Sequence, residues 1–267
     1  MALGCLVMNG VVVIPTLADS PWLVAAIASA SAPGTSSRVI LVCPPDRRND
    51  LAVRHPGCEV VAETGVGLYG AINDGLRATR EWEFFSYLND DDLLLGTMPG
   101  SMPSGVDVLY GKVDYVDAGT RRMGSFPIET SASRIPRVLA AGLPALTPQG
   151  TWISRRAFEE LGGFDAGLKY CGDFDFWLRA AGRGLRFSFR SETVGAFRLR
   201  PGQLSGQRAA ADAELAVVCA RSPFRLGAMA RAATRLGFRW RHLGLIWERR
   251  RLTGRWRSRD LFAGSPS

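Results

Sequence analysis

Short apolar runs alternate with stretches of helical periodicity along the first 200 residues of the chain. Runs bounded by Gly, Pro or Asp predict buried strands, whereas apolar positions three and four residues apart predict helices. This order is typical of an α/β domain with a mostly parallel central sheet flanked by helices. The pattern predicts strands at residues 11–14, 39–42, 59–62 and 84–88, with helices at 22–30 and 71–79.

The alternation continues through the second half of the domain. Gly162 and Gly163 mark a helix end, because glycine readily adopts the left-handed conformation found there. Ligands collect at the carboxyl ends of strands in open α/β sheets, so Thr16, Pro44, Glu63 and residues 90–92 are expected to line one crevice. The further predicted elements are a strand at 106–116 that turns near 118–120 into a second strand, strands at 151–154, 186–189 and 194–197, and helices at 136–141, 155–161 and 173–181.

An acidic cluster follows the strand at residues 84–88. The sequence FFSYLNDDDLLL places Asn89, Asp90, Asp91 and Asp92 directly after an apolar run. Adjacent carboxylates repel one another unless a cation neutralises them, and hard oxygen ligands suit Mg²⁺ or Mn²⁺. A solvated acidic turn or a helix N-cap explains the same residues equally well. The residues alone therefore leave a metal site and a capping turn as alternatives.

Two other segments carry candidate chemistry. The segment GLYGAINDG, residues 67–75, opens a helix whose N-terminal amides favour an anion, although ordinary turn glycines also explain it. In the second segment, GDFDFWLR, Asp173 and Asp175 stand among aromatic residues. Apolar surroundings raise the pKa of a carboxylate, which suits a general base, whereas a helix N-cap is the ordinary explanation for Asp173.

Composition and charge narrow the class of protein. The chain has 267 residues, of which 46% are hydrophobic, so it can bury a core as one large α/β domain or as one domain with an appendage. The net charge of +8 belongs to the tail, where twelve arginines stand against two acidic residues from position 221 onward. The charge therefore gives no reason to expect nucleic-acid binding by the main domain.

Cysteine usage and the N-terminus favour a cytoplasmic protein. The five cysteines are scattered and form no CxxC pair, which favours reduced thiols and disfavours a zinc site. No positive region precedes the apolar N-terminal residues, and Pro15 interrupts them well before the roughly 20 residues that a membrane span needs. We therefore expect neither a signal peptide nor a membrane-spanning helix.

Four motifs occur in a fixed order: LYGAINDGLRATREWEFFSYLNDDD, YGKVDYVD, PQGTWISRRAFEELGGFD and GDFDFWLRAAG. In this combination the sequence resembles family-two glycosyltransferases with the GT-A fold. The resemblance implies a GT-A-like, Rossmann-like domain over residues 1–205. It implies that a sugar moves, with inversion, from a nucleotide-diphosphate donor to a hydroxyl of a glycan or glycolipid, and that a divalent metal, Mn²⁺ or Mg²⁺, binds the diphosphate.

Carried over residue by residue, the resemblance assigns roles in both acidic segments. Asp91 and Asp92 fall on metal-binding positions and Asn89 and Asp90 on donor-contacting ones, although the motif also fits when it is shifted by one residue. Asp173 falls on the general base, with Asp175 as the alternative. The other donor-binding residues implied are Thr16, Asp46, Glu63, Tyr69, Asn73, Arg198 and Arg200, and the acceptor-side residues are Gln149, Trp152 and Trp177.

The chain departs from the family pattern at three places. Gly172 stands where a Glu normally precedes the base, Pro148 stands where many relatives have His, and CPPDRRND replaces the usual turn that holds the nucleotide base. These departures leave two other functions open. One is a module of the same fold that binds nucleotide or polysaccharide without catalysis, and the other is a metal-dependent nucleotidyltransferase.

Residues 206–267 are predicted to form a basic, amphipathic helical extension. Arginines occupy the positions between the residues of an apolar stripe, which suits a helix lying on an anionic membrane surface. A location on the inner face of the membrane would also suit an enzyme with a lipid-linked acceptor. Alternatively, the stripe packs on the catalytic domain or on a second subunit; nucleic acid is the least favoured partner. The stripe consists of Leu226, Met229, Ala233, Leu236, Trp240, Leu243 and Trp247.

Overall fold

A computed structural model describes residues 10–31, 38–65, 67–97, 99–200, 203 and 207–261. Over these residues the chain forms a nine-stranded mixed sheet with helices on both faces, so the predicted α/β architecture is confirmed. The first four strands are parallel in the order β3-β2-β1-β4. They are β1 (Gly10–Pro15), β2 (Arg38–Cys43), β3 (Glu59–Ala62) and β4 (Phe84–Tyr87).

Strand β1 shows why these strands form the centre of the fold. Val11 and Val13 belong to the apolar cluster on one face of the sheet, and Val12 and Ile14 belong to the cluster on the other face. All four side chains are fully buried. A strand covered on both faces is apolar at every position, which is the continuous pattern seen in the sequence.

Three helices connect the parallel strands. The helix α3 begins earlier than predicted and includes Gly70. The backbone of Gly65 passes close to the helix at this point, since a Cβ atom at Gly70 would lie 3.4 Å from it. The helix α2 was not predicted, since CPPDRRND was interpreted as a turn; it follows a short 3₁₀ turn and buries only Leu51. The helices are α1 (Leu23–Ala30), α2 (Arg48–Arg54) and α3 (Gly67–Ala78).

In the described part of the chain, five more strands, in a mixture of parallel and antiparallel pairs, extend the sheet beyond β4. Strand β8 is antiparallel to β4 and to β6, and β9 runs parallel to β6. The two short strands predicted at 186–189 and 194–197 are one strand, because β9 pairs with β6 on both sides of an irregularity near Lys112. The strands are β5 (Leu93–Leu94), β6 (Val108–Val116), β7 (Arg122–Ser125), β8 (Thr151–Ser154) and β9 (Phe187–Arg198).

Three helices pack on this half of the sheet. The helix α5 has the predicted bounds: the Ser154 side chain accepts a hydrogen bond from the backbone N–H of Ala157, and Gly162 ends the helix with a positive φ of 73°. The helix α6 begins at Gly172 and carries Asp173 and Asp175 in its first turn. The helices are α4 (Ile135–Ala140), α5 (Arg155–Leu161) and α6 (Gly172–Gly182).

The C-terminal region forms α7 (Arg208–Arg221), α8 (Ala228–Arg241) and α9 (Leu243–Thr253), so the tail is helical, but His242 divides its predicted single stripe between two helices. The domain boundary expected between residues 205 and 206 lies outside the described residues, as does Cys5. Within the described part of the chain, no helix combines the length and the apolarity needed to cross a bilayer.

Candidate active site

A cavity of about 1030 Å³ opens at the carboxyl ends of β1, β3 and β4, where the sequence predicted a crevice. Its walls include the first turns of α3, α6 and α7, so segments far apart in the chain meet there. The predicted site residues that line it are Thr16, Glu63, Tyr69, Asn89, Asp90, Asp91, Gln149, Asp173, Trp177 and Arg200. The predicted site residues that do not line it are Asp46, Asn73, Asp92, Trp152, Asp175 and Arg198.

The acidic loop after β4 presents Asp90 to the cavity. The Thr16 hydroxyl donates to Asp90 Oδ2 at 2.6 Å, and the Ser20 hydroxyl donates to the Asp90 carbonyl at 3.0 Å. These bonds tie the loop to the end of β1. Burial raises the pKa of Asp90 above its ordinary value, opposed by the hydrogen bond from Thr16.

Asp92 stabilises the loop from beneath and does not reach the cavity. Its carboxylate is fully buried and accepts hydrogen bonds from the Gln149 amide at 2.6 Å, the Asn89 amide at 2.9 Å and the backbone N–H of Arg198 at 2.8 Å. Burial, together with the charge of Asp91, raises the pKa of Asp92 to about 8, against the effect of these donors. In this arrangement its oxygens are engaged by protein donors and are not presented to a ligand.

Asp91 faces cationic and amide groups from the segment that follows β9. The Arg200 guanidinium forms an ion pair with Asp91 Oδ2, and the Gln203 amide donates to the same oxygen at 3.2 Å. Arg200 is about one-third exposed, whereas Asp91 is almost fully buried. Of the two arginines predicted to bind the donor, Arg200 is therefore the one that faces the cavity.

Arg198 has a structural role instead. It is almost fully buried, and its guanidinium donates to the carbonyls of Asp91, Asp117 and Ala118, at 2.7, 3.0 and 2.8 Å. These acceptors join the acidic loop to the β6–β7 turn. Both Arg198 and Arg200 lie over the ring of Trp22, at 5.4 and 5.6 Å from its centroid. Trp22 thereby contacts both the buried Arg198 and Arg200, which faces the cavity.

Asp173 stands at the start of α6 on the opposite wall. Its Oδ1 accepts hydrogen bonds from the backbone N–H of Phe174 at 2.7 Å and from the Tyr69 hydroxyl at 3.3 Å. Burial raises the pKa of Asp173 to about 6, and these two donors limit the rise. The side chain lines the cavity and keeps partial exposure. A carboxylate with this pKa is ionised at neutral pH and is still basic enough to accept a proton.

The structure gives a physical reason for Gly172. A Cβ atom at this position would lie 2.5 Å from the ring of Tyr69, so any side chain would displace Tyr69. The space that a Glu would need before Asp173 is thus filled by an aromatic ring whose hydroxyl contacts Asp173 directly.

The remaining predicted residues have other surroundings. Asp175 forms an ion pair with Arg179 at 2.6 Å on α6, and Arg179 also donates to the carbonyl of Leu161. The Asn73 amide exchanges hydrogen bonds with the backbone of Phe164, and joins α3 to the segment before α6. Asp46 is largely exposed beside Arg47, and Trp152 is buried in the core.

Several buried polar atoms at the cavity lack a protein partner. Thr147 Oγ1, Gln149 Oε1 and Trp177 Nε1 are buried, and they have no hydrogen-bond partner in the described part of the chain. Gln149 is positioned by a close approach to β9, because its carbonyl would lie 2.2 Å from a Cβ atom at Gly195. Buried polar groups are normally paired, so these atoms are suited to a polar ligand or ordered water.

Some cavity residues were missed by sequence reasoning. They include Ser20, Trp22, Gln203 and Arg208. Trp22 stands at an apolar helix start, where nothing distinguishes it from a core residue. Gln203 belongs to the RLRPGQLSG segment, in which only the arginines carried a chemical signal.

The acidic loop offers carboxylate oxygens of the kind that bind a divalent metal. Among the described residues, no group of three His, Cys, Asp or Glu side chains could form a complete protein cage. Mg²⁺ and similar ions are, however, also held by one or two carboxylates together with substrate phosphates. Asp90 and Asp91 line one cavity and fit that second arrangement, provided that Arg200 leaves Asp91.

No protein-family model matches the chain, and no curated protein sequence matches it. Solved structures do share its fold. It is similar to Staphylococcus aureus TarS, residues 1–349, in complex with UDP, with a TM-score of 0.55 and 17% identity over 89% of this chain and 72% of that one. It is also similar to the mannosyltransferase PcManGT from Pyrobaculum calidifontis in complex with GDP-Man and Mn²⁺, with a TM-score of 0.56 and 17% identity over 87% of this chain and 71% of that one. The fold is GT-A-like.

Proposed function

We propose that the protein is an inverting glycosyltransferase of the family-two type, which moves a sugar from a nucleotide-diphosphate donor to a hydroxyl of a glycan or glycolipid. One observation carries the proposal: Asp173, a carboxylate with a raised pKa, shares a cavity with the acidic loop and Arg200. The fold supports it, because structures of the same fold bind UDP or GDP-Man.

Asp173 acts as the general base. With a pKa of about 6 it is ionised at neutral pH and takes the proton of the acceptor hydroxyl as that oxygen attacks the anomeric carbon. The bond from the anomeric carbon to the diphosphate breaks as the glycosidic bond forms on the opposite face, which inverts the centre. Tyr69, whose pKa is raised well above its ordinary value by burial, stays protonated and orients the carboxylate.

Arg200 neutralises charge on the leaving diphosphate. A guanidinium group matches phosphate oxygens with paired hydrogen bonds, and it stabilises the negative charge that develops as the diphosphate departs. Because Arg200 pairs with Asp91, donor binding exchanges one partner of Arg200 for another. Asp91, with Asp90 beside it, would hold a divalent metal, which supplies further charge neutralisation.

The unpaired polar atoms of the cavity contact sugar hydroxyls. Thr147 and Gln149 offer oxygen acceptors, and the Trp177 indole offers a donor.

A donor screen tests the proposal. The protein is incubated with a panel of UDP-, GDP- and dTDP-activated sugars and Mn²⁺ or Mg²⁺, and the release of nucleoside diphosphate is measured. We expect release with one of these donor classes. Binding of a donor without release would favour a non-catalytic module. Release of pyrophosphate in a parallel incubation with a nucleoside triphosphate and a sugar 1-phosphate would favour a nucleotidyltransferase.

A further inference from the structure

An apolar surface runs along the outside of α8 and α9. We call it the outer stripe, and it consists of Met229, Ala233, Leu236, Trp240, Leu243 and Trp247. Met229 is 86% exposed, Trp240 is 65% exposed and Trp247 is 64% exposed. At 3.6 residues per turn, the four α8 positions fall within roughly 60° of the helix circumference. The α8 side chains therefore share one exposed face, and large apolar side chains gathered in this way mark an interaction surface.

Polar contacts on the opposite side of α8 fix which face points outward. Arg241 forms an ion pair at 2.6 Å with Glu129, which is buried, and Arg235 donates to the carbonyl of Ala141 at 2.8 Å. Phe238 and Thr234 are buried on this inner side, where Thr234 accepts a hydrogen bond from Arg137 at 2.9 Å. The helix cannot turn the outer stripe inward without breaking these contacts. Over the described residues, the α8 part of the stripe therefore points away from the domain. The sequence alternative in which the stripe packs on the catalytic domain expected the opposite orientation.

The surroundings of the outer stripe are strongly positive. Exposed arginines on α8, α9 and the turn before α8 include Arg225, Arg239, Arg250 and Arg251. The region from 221 to 261 contains only two acidic residues, Glu248 and Asp260, and Glu248 pairs with Arg122 at 2.8 Å. The acidic side chains therefore do little to offset the arginines.

We propose that the outer stripe docks the protein on an anionic lipid surface. Trp and Leu side chains enter the boundary between lipid headgroups and acyl chains, and arginines at the rim contact anionic headgroups. Tryptophan suits this boundary because one end of its ring system is apolar and the other carries a polar N–H. A two-fold contact between copies would place the same positive surface against itself, so charge favours lipid over a second copy.

The test is co-sedimentation of the full chain with vesicles. Vesicles of phosphatidylcholine are compared with vesicles that contain about one-third phosphatidylglycerol, at low salt. We expect binding to the anionic vesicles only, and weaker binding as salt increases. Leu236→Ser, Trp240→Ser and Trp247→Ser are combined in one variant. Each of the three substitutions should contribute a roughly tenfold loss in partitioning to the vesicles. The loss is of this size because a partly inserted side chain contributes only part of its free energy of transfer from water.

Val24→Ser and Val53→Ser form the matched control, because both side chains are apolar and highly exposed but lie on α1 and α2. This variant should bind vesicles as the wild type does. Circular dichroism confirms that both variants fold. A second variant, Arg239→Gln with Arg251→Gln, should weaken binding to anionic vesicles about fivefold for each arginine.

Three results would overturn the proposal. In the first, the wild-type protein stays in the supernatant with anionic vesicles. In the second, the variant with the three serine substitutions binds vesicles as well as the wild type does. In the third, the wild-type protein forms a concentration-dependent dimer that this variant does not form, and neither protein binds vesicles. The assay uses neither donor nor acceptor, so its outcome is independent of the proposed transferase activity.

Discussion

The replacement Asp173→Asn removes the proposed base while it keeps the local hydrogen bonds. Asparagine retains an Oδ1 acceptor for the backbone N–H of Phe174 and for the Tyr69 hydroxyl. General-base assistance is worth roughly 10²- to 10⁴-fold, so we expect kcat to fall by that factor. The donor dissociation constant should change little, because the donor-side groups are unaltered.

The raised pKa of Asp173 also makes a stability prediction. Its ordinary value is 3.8 and its folded value is about 6, a difference of about 3 kcal/mol at 1.36 kcal/mol per pKa unit. Partial exposure reduces this to roughly 1–2 kcal/mol. The folded state holds this proton more tightly, so wild-type stability falls as pH rises from about 4 to 6. Asp173→Asn should therefore exceed the wild type in stability at pH 7.5 and match it near pH 4.

Two assays check this account. Nucleoside diphosphate release across pH 5 to 8 should show a wild-type kcat/KM that declines below about pH 6, when Asp173 becomes protonated. Thermal unfolding of both proteins at pH 4.5 and 7.5 measures the stability difference. Asp175→Asn is the matched control, and its kcat should stay within about threefold of wild type. If Asp173→Asn retained kcat within tenfold, or if Asp175→Asn were the inactive variant, the assignment of the base would be wrong.

Other predictions test the supporting residues. Tyr69→Phe removes a donor that lowers the pKa of Asp173, so the acid limb of the pH–rate profile should move to higher pH; an unmoved limb would exclude this role. Gly172→Ala places a methyl group against the Tyr69 ring and should lower the unfolding free energy by about 1–3 kcal/mol, as measured by urea denaturation. Excess EDTA should abolish turnover, and undiminished release of nucleoside diphosphate would refute a metal at Asp91. Arg241→Ala leaves buried Glu129 without its close partner and should destabilise tail docking by about 2 kcal/mol; limited proteolysis should then cleave α8 faster than in wild type.

Local patterns predicted much of the fold. Strand β3, strand β8 and helix α5 have the predicted bounds, and Gly162 and Gly163 gave α5 a clear end signal. The pattern failed where tertiary contacts decide the structure. Gly70 was interpreted as a turn residue, but its lack of a side chain lets the helix pass close to Gly65.

The sequence indicated which segments meet at the cavity, but not what each side chain does there. Asp90, Asp91 and Asp92 are chemically identical and adjacent, yet Asp92 is sealed beneath the loop and the other two line the cavity. The two candidate arginines differ in the same way. Arg198 is buried among carbonyl groups, whereas Arg200 faces the cavity. The burial of each side chain and the identity of its hydrogen-bond partners depend on strands far apart in sequence. A local sequence pattern therefore does not predict them.

The sequence showed that the tail is amphipathic, but not which face of its helix contacts the domain. The apolar stripe and the arginines were both evident in the sequence, and either face of the helix was a candidate for contact with the domain. The structure turns Arg235 and Arg241 inward, where a carbonyl group and a buried carboxylate accept their hydrogen bonds. Because these acceptors come from the region of α4 and the segment before it, the tail sequence by itself does not predict this choice.

Inverting transfer is the central claim, and the configuration of the first sugar product tests it most directly. An α-linked nucleotide sugar that supports nucleoside diphosphate release is supplied as the donor, and water serves as the acceptor. Proton NMR then follows the anomeric signals before the product equilibrates in solution. The account predicts that the β anomer is formed first and that Asp173→Asn forms it far more slowly. Initial appearance of the α anomer, or equal rates for the two proteins, would contradict it.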